Sequence, residues 1–234
     1  IPSASSGHWM QEGLALCCKA FHPDAGELSE CKDLRNSSEG ARWECALKKE
    51  LARLTKGLPP KFPTGHDVFD FVHKHEIPKN KTCTHLCIVS NCRPQKADPH
   101  RVLFTLGGDR LDCNGNTHAP TSDLTTFKLM INAILSKPGH RACCIDLSDF
   151  HISHKLPEPE YMRMHSGQIP EEFMDCCELD KMVAQDGFLC VRLKGAMFGL
   201  KQAGTISNLE LVKRPSVDDC VPCKHTPGLF KHKE

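Results

Sequence analysis

Apolar residues along the chain change their period several times, and each change marks an element. Trp43, Leu47, Leu51 and Leu54 recur at helical spacing, and residues three to four apart share one helix face. Ser37 or Ser38 can cap this run, Glu44 and Lys48 can pair one turn apart, and Gly57 followed by Pro59-Pro60 ends it. The pattern predicts a helix over 37–57. A Pro-, Gly- and His-rich stretch follows over 58–80, with a short apolar patch at Val68, Phe69, Phe71 and Val72. Leu86, Ile88 and Val89 predict a strand over 82–90, and a second strand is expected over 101–106 with Gly107-Gly108 as its turn. Leu124, Phe127, Ile131 and Ile134 form the stripe of a helix over 120–136, closed by Lys137-Pro138-Gly139. That stripe is expected to pack on a strand over 141–147, and this strand to lie beside another over 188–193. A polar stretch with a helix over 170–184 separates the two, and a last helix is expected over 202–213. Residues 1–36 lack sustained periodicity and read as an irregular N-terminal segment, leaving 37–234 as the structured unit. Helices alternating with strands argue an α/β or α+β layer architecture.

Charge and length narrow the picture. A net charge of +1 provides no strong basic field to advertise nucleic acid. No apolar run approaches the roughly 20 residues of a membrane helix, and Ile1 to Trp9 lacks a secretory pattern. The expectation is no membrane partner and a cytoplasmic or nuclear protein.

Fifteen Cys and 14 His stand beside a single Tyr. The cysteine count is odd and three pairs are adjacent, Cys17-Cys18, Cys143-Cys144 and Cys176-Cys177. Both features speak against a disulfide framework. A zinc module would need paired ligands at short spacing. Cys220 and Cys223 have that spacing with His225 close behind, and Cys83, His85, Cys87 and Cys92 form a looser group. The third reading is decay of an older sequence.

Asp146 carries the chemistry. It ends an apolar run in Ile145-Asp146-Leu147, and alone it reads as an ordinary strand-terminating acid. Its neighbours change that. Glu160-Tyr161-Met162 follows, and then Leu193, Lys194, Gly199, Leu200, Lys201, Gln202 and Ala203 at the spacing Leu-Lys-x-x-x-x-Gly-Leu-Lys-Gln-Ala. Upstream lie Arg93-Pro94-Gln95-Lys96, His100-Arg101-Val102 and Gly107-Gly108-Asp109-Arg110-Leu111-Asp112, and Thr226-Pro227-Gly228-Leu229 lies near the end. In this order the segments resemble the reverse transcriptase of copia-type LTR retrotransposons, over roughly residues 40–234. Cys113, His151 and Cys190 stand where those enzymes usually carry Tyr. One base change separates a Tyr codon from Cys or His, which favours decay as the source of many cysteines.

The resemblance implies the fingers and palm of a right-hand polymerase, and an ancestral RNA-directed DNA synthesis using Mg²⁺. Template-primer and deoxynucleoside triphosphates would be the partners. Asp146 would be the catalytic, metal-binding carboxylate, assisted by the main-chain carbonyl of Leu147. Arg101 would hold the triphosphate, Gln202 would contact nucleotide or template, and His151 would take the place of the aromatic that excludes a ribose 2′-hydroxyl. The family's later signature, an apolar residue followed by two aspartates in a hairpin, is not found. Asp218-Asp219, preceded by Val217, comes before Thr226-Pro227-Gly228-Leu229 instead of after it and lacks the apolar strand needed to hold two acids next to Asp146, so it reads as a solvated turn. Asp149, three residues from Asp146, would face the other way on a strand. Two Mg²⁺ ions need several carboxylates, so the fragment is expected not to polymerise. The alternatives are a zinc-binding module or an RNA- or protein-interaction module derived from it. Sheet edges left open would favour self-association.

Overall fold

Trp43, Leu47, Leu51 and Leu54 are almost fully buried, and they fix where the longest helix lies. The computed structural model describes residues 18–113, 115, 117–141, 146–214 and 220–232. The first elements are a two-stranded hairpin, β1 (Ala20–Phe21) and β2 (Leu28–Ser29), and a short helix α1 (Cys31–Leu34). Part of the segment expected to be irregular is therefore regular, and Leu34 is fully buried. The long helix α2 spans Gly40–Leu54. It begins later than its sequence suggested, because Ser37 does not cap it. The Ser37 hydroxyl donates to the Leu34 carbonyl and accepts from the Glu39 N–H, closing the preceding turn instead.

One curled, mixed sheet of five strands follows. Its members are β3 (Phe69–Val72), β4 (Cys83–Cys92), β5 (His100–Leu106), β6 (Lys155–His165) and β7 (Phe188–Gly195), in the spatial order β3-β7-β6-β4-β5. Only β4 and β6 run parallel, and the other neighbours are antiparallel. The inward residues alternate as a half-buried sheet requires: Val102, Phe104 and Leu106 on β5, Met162 and Met164 on β6, Leu189, Val191 and Leu193 on β7. They meet the apolar face of α2 in a single core. A smaller cluster of Val72, Tyr161 and Cys190, with Ile77 and Cys83 against it, covers part of the opposite sheet face. The architecture is α+β, with five helices among the described residues.

Three expectations change. The strand expected beside 188–193 would have to pair where both edges of Cys190–Leu193 are already taken, by β3 on one side and β6 on the other. Residues 142–145 lie outside the described ones. The true neighbour, β6, was hidden in a stretch read as polar. Pro157 and Pro159 fall in a register shift between Lys155 and Glu160, where no ladder hydrogen bond is demanded of them. The helix expected over 170–184 is only α4 (Glu171–Cys176), followed by a 3₁₀ turn over Leu179–Met182. Glu178, at φ 49°, breaks it, so that both Phe173 and Leu179 reach the core. The apolar helix α3 (Leu124–Leu135) forms and is capped by Asp123, which accepts from the Thr126 N–H at 2.9 Å, but it buries none of its residues. The last helix, α5 (Ala203–Lys213), and a hairpin of β8 (Cys220–Pro222) and β9 (Phe230–His232) complete the described chain.

Gly199 shows why the Gly-Leu turn before α5 requires glycine. It sits at φ 94°, and a Cβ there would lie 2.2 Å from the Leu106 carbonyl oxygen. The close approach lets the Leu106 N–H donate to the Phe198 carbonyl at 2.9 Å, tying the turn to the outer edge of β5.

Candidate functional site

A cleft of about 950 Å³ opens between α2, β5 and the turns over 146–152. Helix α2 contributes its polar side, Lys49, Glu50 and Arg53, because its other face is buried in the core. Strand β5 and the turn before it contribute Arg93, Asp98, His100 and Arg101, and the third wall runs from Asp146 to Ile152. Four of the residues that the resemblance marks, Arg101, Asp146, Leu147 and His151, line this one cleft. Gln202 is not among its lining residues. It precedes α5 as the residue at its N-terminal boundary and is half-buried.

Most of the charge in the cleft is already paired. Glu50 is 6% exposed and accepts from Arg53 through both carboxylate oxygens, at 2.8 Å each. Arg53 reaches on to Asp149 at 2.5 Å, and His66 holds the other Asp149 oxygen at 3.2 Å. Burial opposes the charge on Arg53, but the bonds from Glu50 and the field of Asp149 outweigh it and raise its pKa. Lys49 donates to Asp98 at 2.7 Å, and that hydrogen bond is the main reason the Asp98 carboxyl titrates below its usual range. Among the described residues, the side chains of Asp146 and Arg101 have no hydrogen-bond or ion-pair partner, and both residues are exposed. The Nε of Arg93 is buried without one. Among the described residues, the charged groups of the cleft whose side chains make no hydrogen bond or ion pair are thus Asp146, Arg101 and Arg93, the last near enough to Asp98 to help lower its pKa.

Asp149 corrects the strand-alternation expectation. Residues 148–154 are turns, and Asp149 has φ 56°, so alternation does not govern it. It faces the same cleft as Asp146. Its carboxylate is committed to Arg53 and His66, so it is a poor second ligand for a hard cation. Among the described residues no three His, Cys, Asp or Glu side chains gather as metal ligands. One uncommitted carboxylate does not fit a two-magnesium centre. Asp218 and Asp219 lie outside the described residues, as does the side chain of Cys220. Cys18 aside, the ten cysteines whose side chains are described carry free thiols.

His151 lines the cleft together with Arg101. Its Nδ1 is 2.7 Å from the Ser207 hydroxyl of α5, and Phe198 lies edge-on at 5.7 Å. Here His151 is a docking group for α5 as much as a lining residue. Next to it, His154 is 7% exposed, edge-on to Phe150 at 4.7 Å, with its Nε2 buried and unbonded. Burial first, and the charge of Arg214 second, hold the His154 pKa below its ordinary value. Sequence reasoning missed Glu50 and Arg53 and turned Asp149 away from the cleft. The i, i+3 spacing of Glu50 and Arg53 signals a pair on the polar side of α2, but no spacing reveals that Asp149 closes it. Set against protein-family models, curated proteins and solved structures, the chain matches none of them.

Proposed function

We propose that this chain is a fingers-and-palm fragment related to copia-type reverse transcriptases, and that it binds the phosphates of a nucleic acid or nucleoside triphosphate without polymerising. One observation supports this most. Arg101 lies far in sequence from the segment that carries Asp146, Leu147 and His151, and the resemblance assigns all four to the nucleotide site; they line one cleft.

The chemistry of the cleft fits binding better than catalysis. A guanidinium is always charged and matches a phosphate with two parallel donors. Arg101 and Arg93 are uncommitted at the β4–β5 end. Phosphoryl transfer would further require compensation of charge spread over the transferring group, and among the described residues only Asp146 is free to hold a cation there. The binding partners are template-primer and deoxynucleoside triphosphates, in cytoplasm or nucleus.

Primer extension separates the two halves of the proposal. Purified chain, primed RNA template, Mg²⁺ and the four nucleotides should give no extension, while mobility-shift assays of the same mixture show a complex. Extension that disappears in Asp146→Asn would overturn the inactive half. Absence of any complex at low salt would overturn the binding half.

A further inference from the structure

Helix α3 is apolar at eight of its twelve positions, and Lys128 is its only charged residue. A helix with such a composition belongs in an interior. Yet none of its residues is buried: Leu124 is 66% exposed, Phe127 45% and Leu135 80%. Thr126, Met130 and Ile134 are partly shielded, and at spacings of four they mark the side turned toward the rest of the chain. Phe127 sits beside Ile134, and the side turned away carries Leu124, Ile131 and Leu135 with Lys128 among them. No helix among the described residues is long and apolar enough to cross a membrane.

We propose that this outer face is the contact between two copies of the chain, paired antiparallel about a two-fold axis. The charge pattern selects this occupant and this direction. Asp123 stands at the N-terminal end of α3, Lys137, His140 and Arg141 lie just past its C-terminal end, and no acid occurs between Leu124 and Arg141. Antiparallel pairing brings Asp123 of each copy to Lys137 of the other and opposes the helix dipoles favourably. Parallel pairing would stack the basic ends on each other. Leu124 then meets Leu135 of the partner, and Ile131 meets the stem of Lys128, whose ammonium reaches past the seam to water. Such an arrangement is isologous and closes at two copies. A helix about 18 Å long offers less than the roughly 800 Å² per partner of a standard interface, so the dimer is weak and concentration-dependent.

Sedimentation equilibrium across a concentration series tests this with four proteins. The unaltered chain should shift from monomer to dimer, without larger species. Leu135→Glu and Lys137→Glu should each weaken the dimer by about tenfold, the first by placing a charge in the seam and the second by facing Asp123 with an acid. Lys128→Leu should strengthen it and still give no species larger than a dimer, which separates a closed two-fold seam from general stickiness. All three positions are exposed, and far-ultraviolet circular dichroism should be unchanged. A monomer at every concentration overturns the proposal. So does a dimer indifferent to Leu135→Glu, or a dimer weakened by Lys128→Leu. Adsorption of a monomer to phosphatidylserine vesicles, lost in Leu135→Glu, would assign the face to lipid and overturn it as well.

Discussion

The Glu50 carboxylate accepts the main-chain N–H of Phe104 at 3.2 Å, so a helix side chain covers the outer edge of β5. An edge strand presents unpaired donors, and this donor is buried. Glu50 satisfies it and neutralises Arg53 with the same group. One residue thereby joins the helix, the edge strand and the cleft wall.

Replacing Glu50 with Ala should therefore be costly. It leaves the Phe104 N–H unsatisfied and removes one of two acids from Arg53, although Asp149 remains. The loss should be about 2 kcal/mol, measured by urea unfolding. Glu50→Gln keeps an acceptor and should cost less than Glu50→Ala. Equal costs for the two variants would contradict the edge-capping role.

His154 should make stability depend on pH. Its folded pKa is lowered, so the unfolded chain binds the proton more readily between its ordinary 6.5 and the lowered folded value. The contribution is fully present above 6.5 and is lost as pH falls through that window. Protonation would place a charge beside Arg214 and His151, with only Glu210 as an opposing neighbour. Hydrogen-exchange protection in 203–213, taken relative to the intrinsic rate at each pH, should fall from about pH 7.5 to about pH 5.5, and His154→Phe should flatten that change. Unchanged protection in the unaltered chain would refute it.

Asp70 acts in a lower window. Partial burial disfavours its charge, but a two-pronged bond from Arg192, at 3.1 and 2.6 Å, and the nearby Lys194 ammonium lower its pKa below 3.8. Stability from this cross-strand pair is present above 3.8 and is lost as pH falls through the lowered value. The pair is partly exposed, so Asp70→Asn should cost about 1 kcal/mol near neutrality. Its effect should vanish at strongly acidic pH.

Asp146→Asn gives opposite signs for two roles. If Asp146 only adds negative charge to a cleft that takes phosphate, its neutralisation should tighten triphosphate binding by about threefold, the effect of one unit charge about 6 Å away in water. If Asp146 holds a bridging cation, the same change should weaken Mg²⁺-dependent binding. Isothermal titration with and without Mg²⁺ decides between them. Tightening is the expected result.

Legibility in the sequence followed local periodicity. The stripe of Trp43, Leu47, Leu51 and Leu54 displayed α2, and the short apolar runs displayed β4, β5 and β7, because each pattern repeats within a few residues. Strand β6 was concealed by Pro157, Pro159 and its charged residues, since a register shift that tolerates prolines is created by the partner strand. The uncovered state of α3 was equally hidden, because a stripe says that a face is apolar and not what covers it. In the cleft, motifs marked Arg101, Asp146, Leu147 and His151. The clamp of Glu50, Arg53, His66 and Asp149 depends on contacts between elements far apart in sequence, and only the fold shows them.

The most direct measurement is the salt dependence of affinity for a primed RNA template, compared between the unaltered chain and Arg101→Ala. Each phosphate contact adds to the slope of log affinity against log salt. The account predicts measurable binding at low salt, and in the variant both weaker binding and a slope shallower by about one phosphate contact. The same slope and affinity in both proteins would contradict the claim that this cleft receives the phosphates.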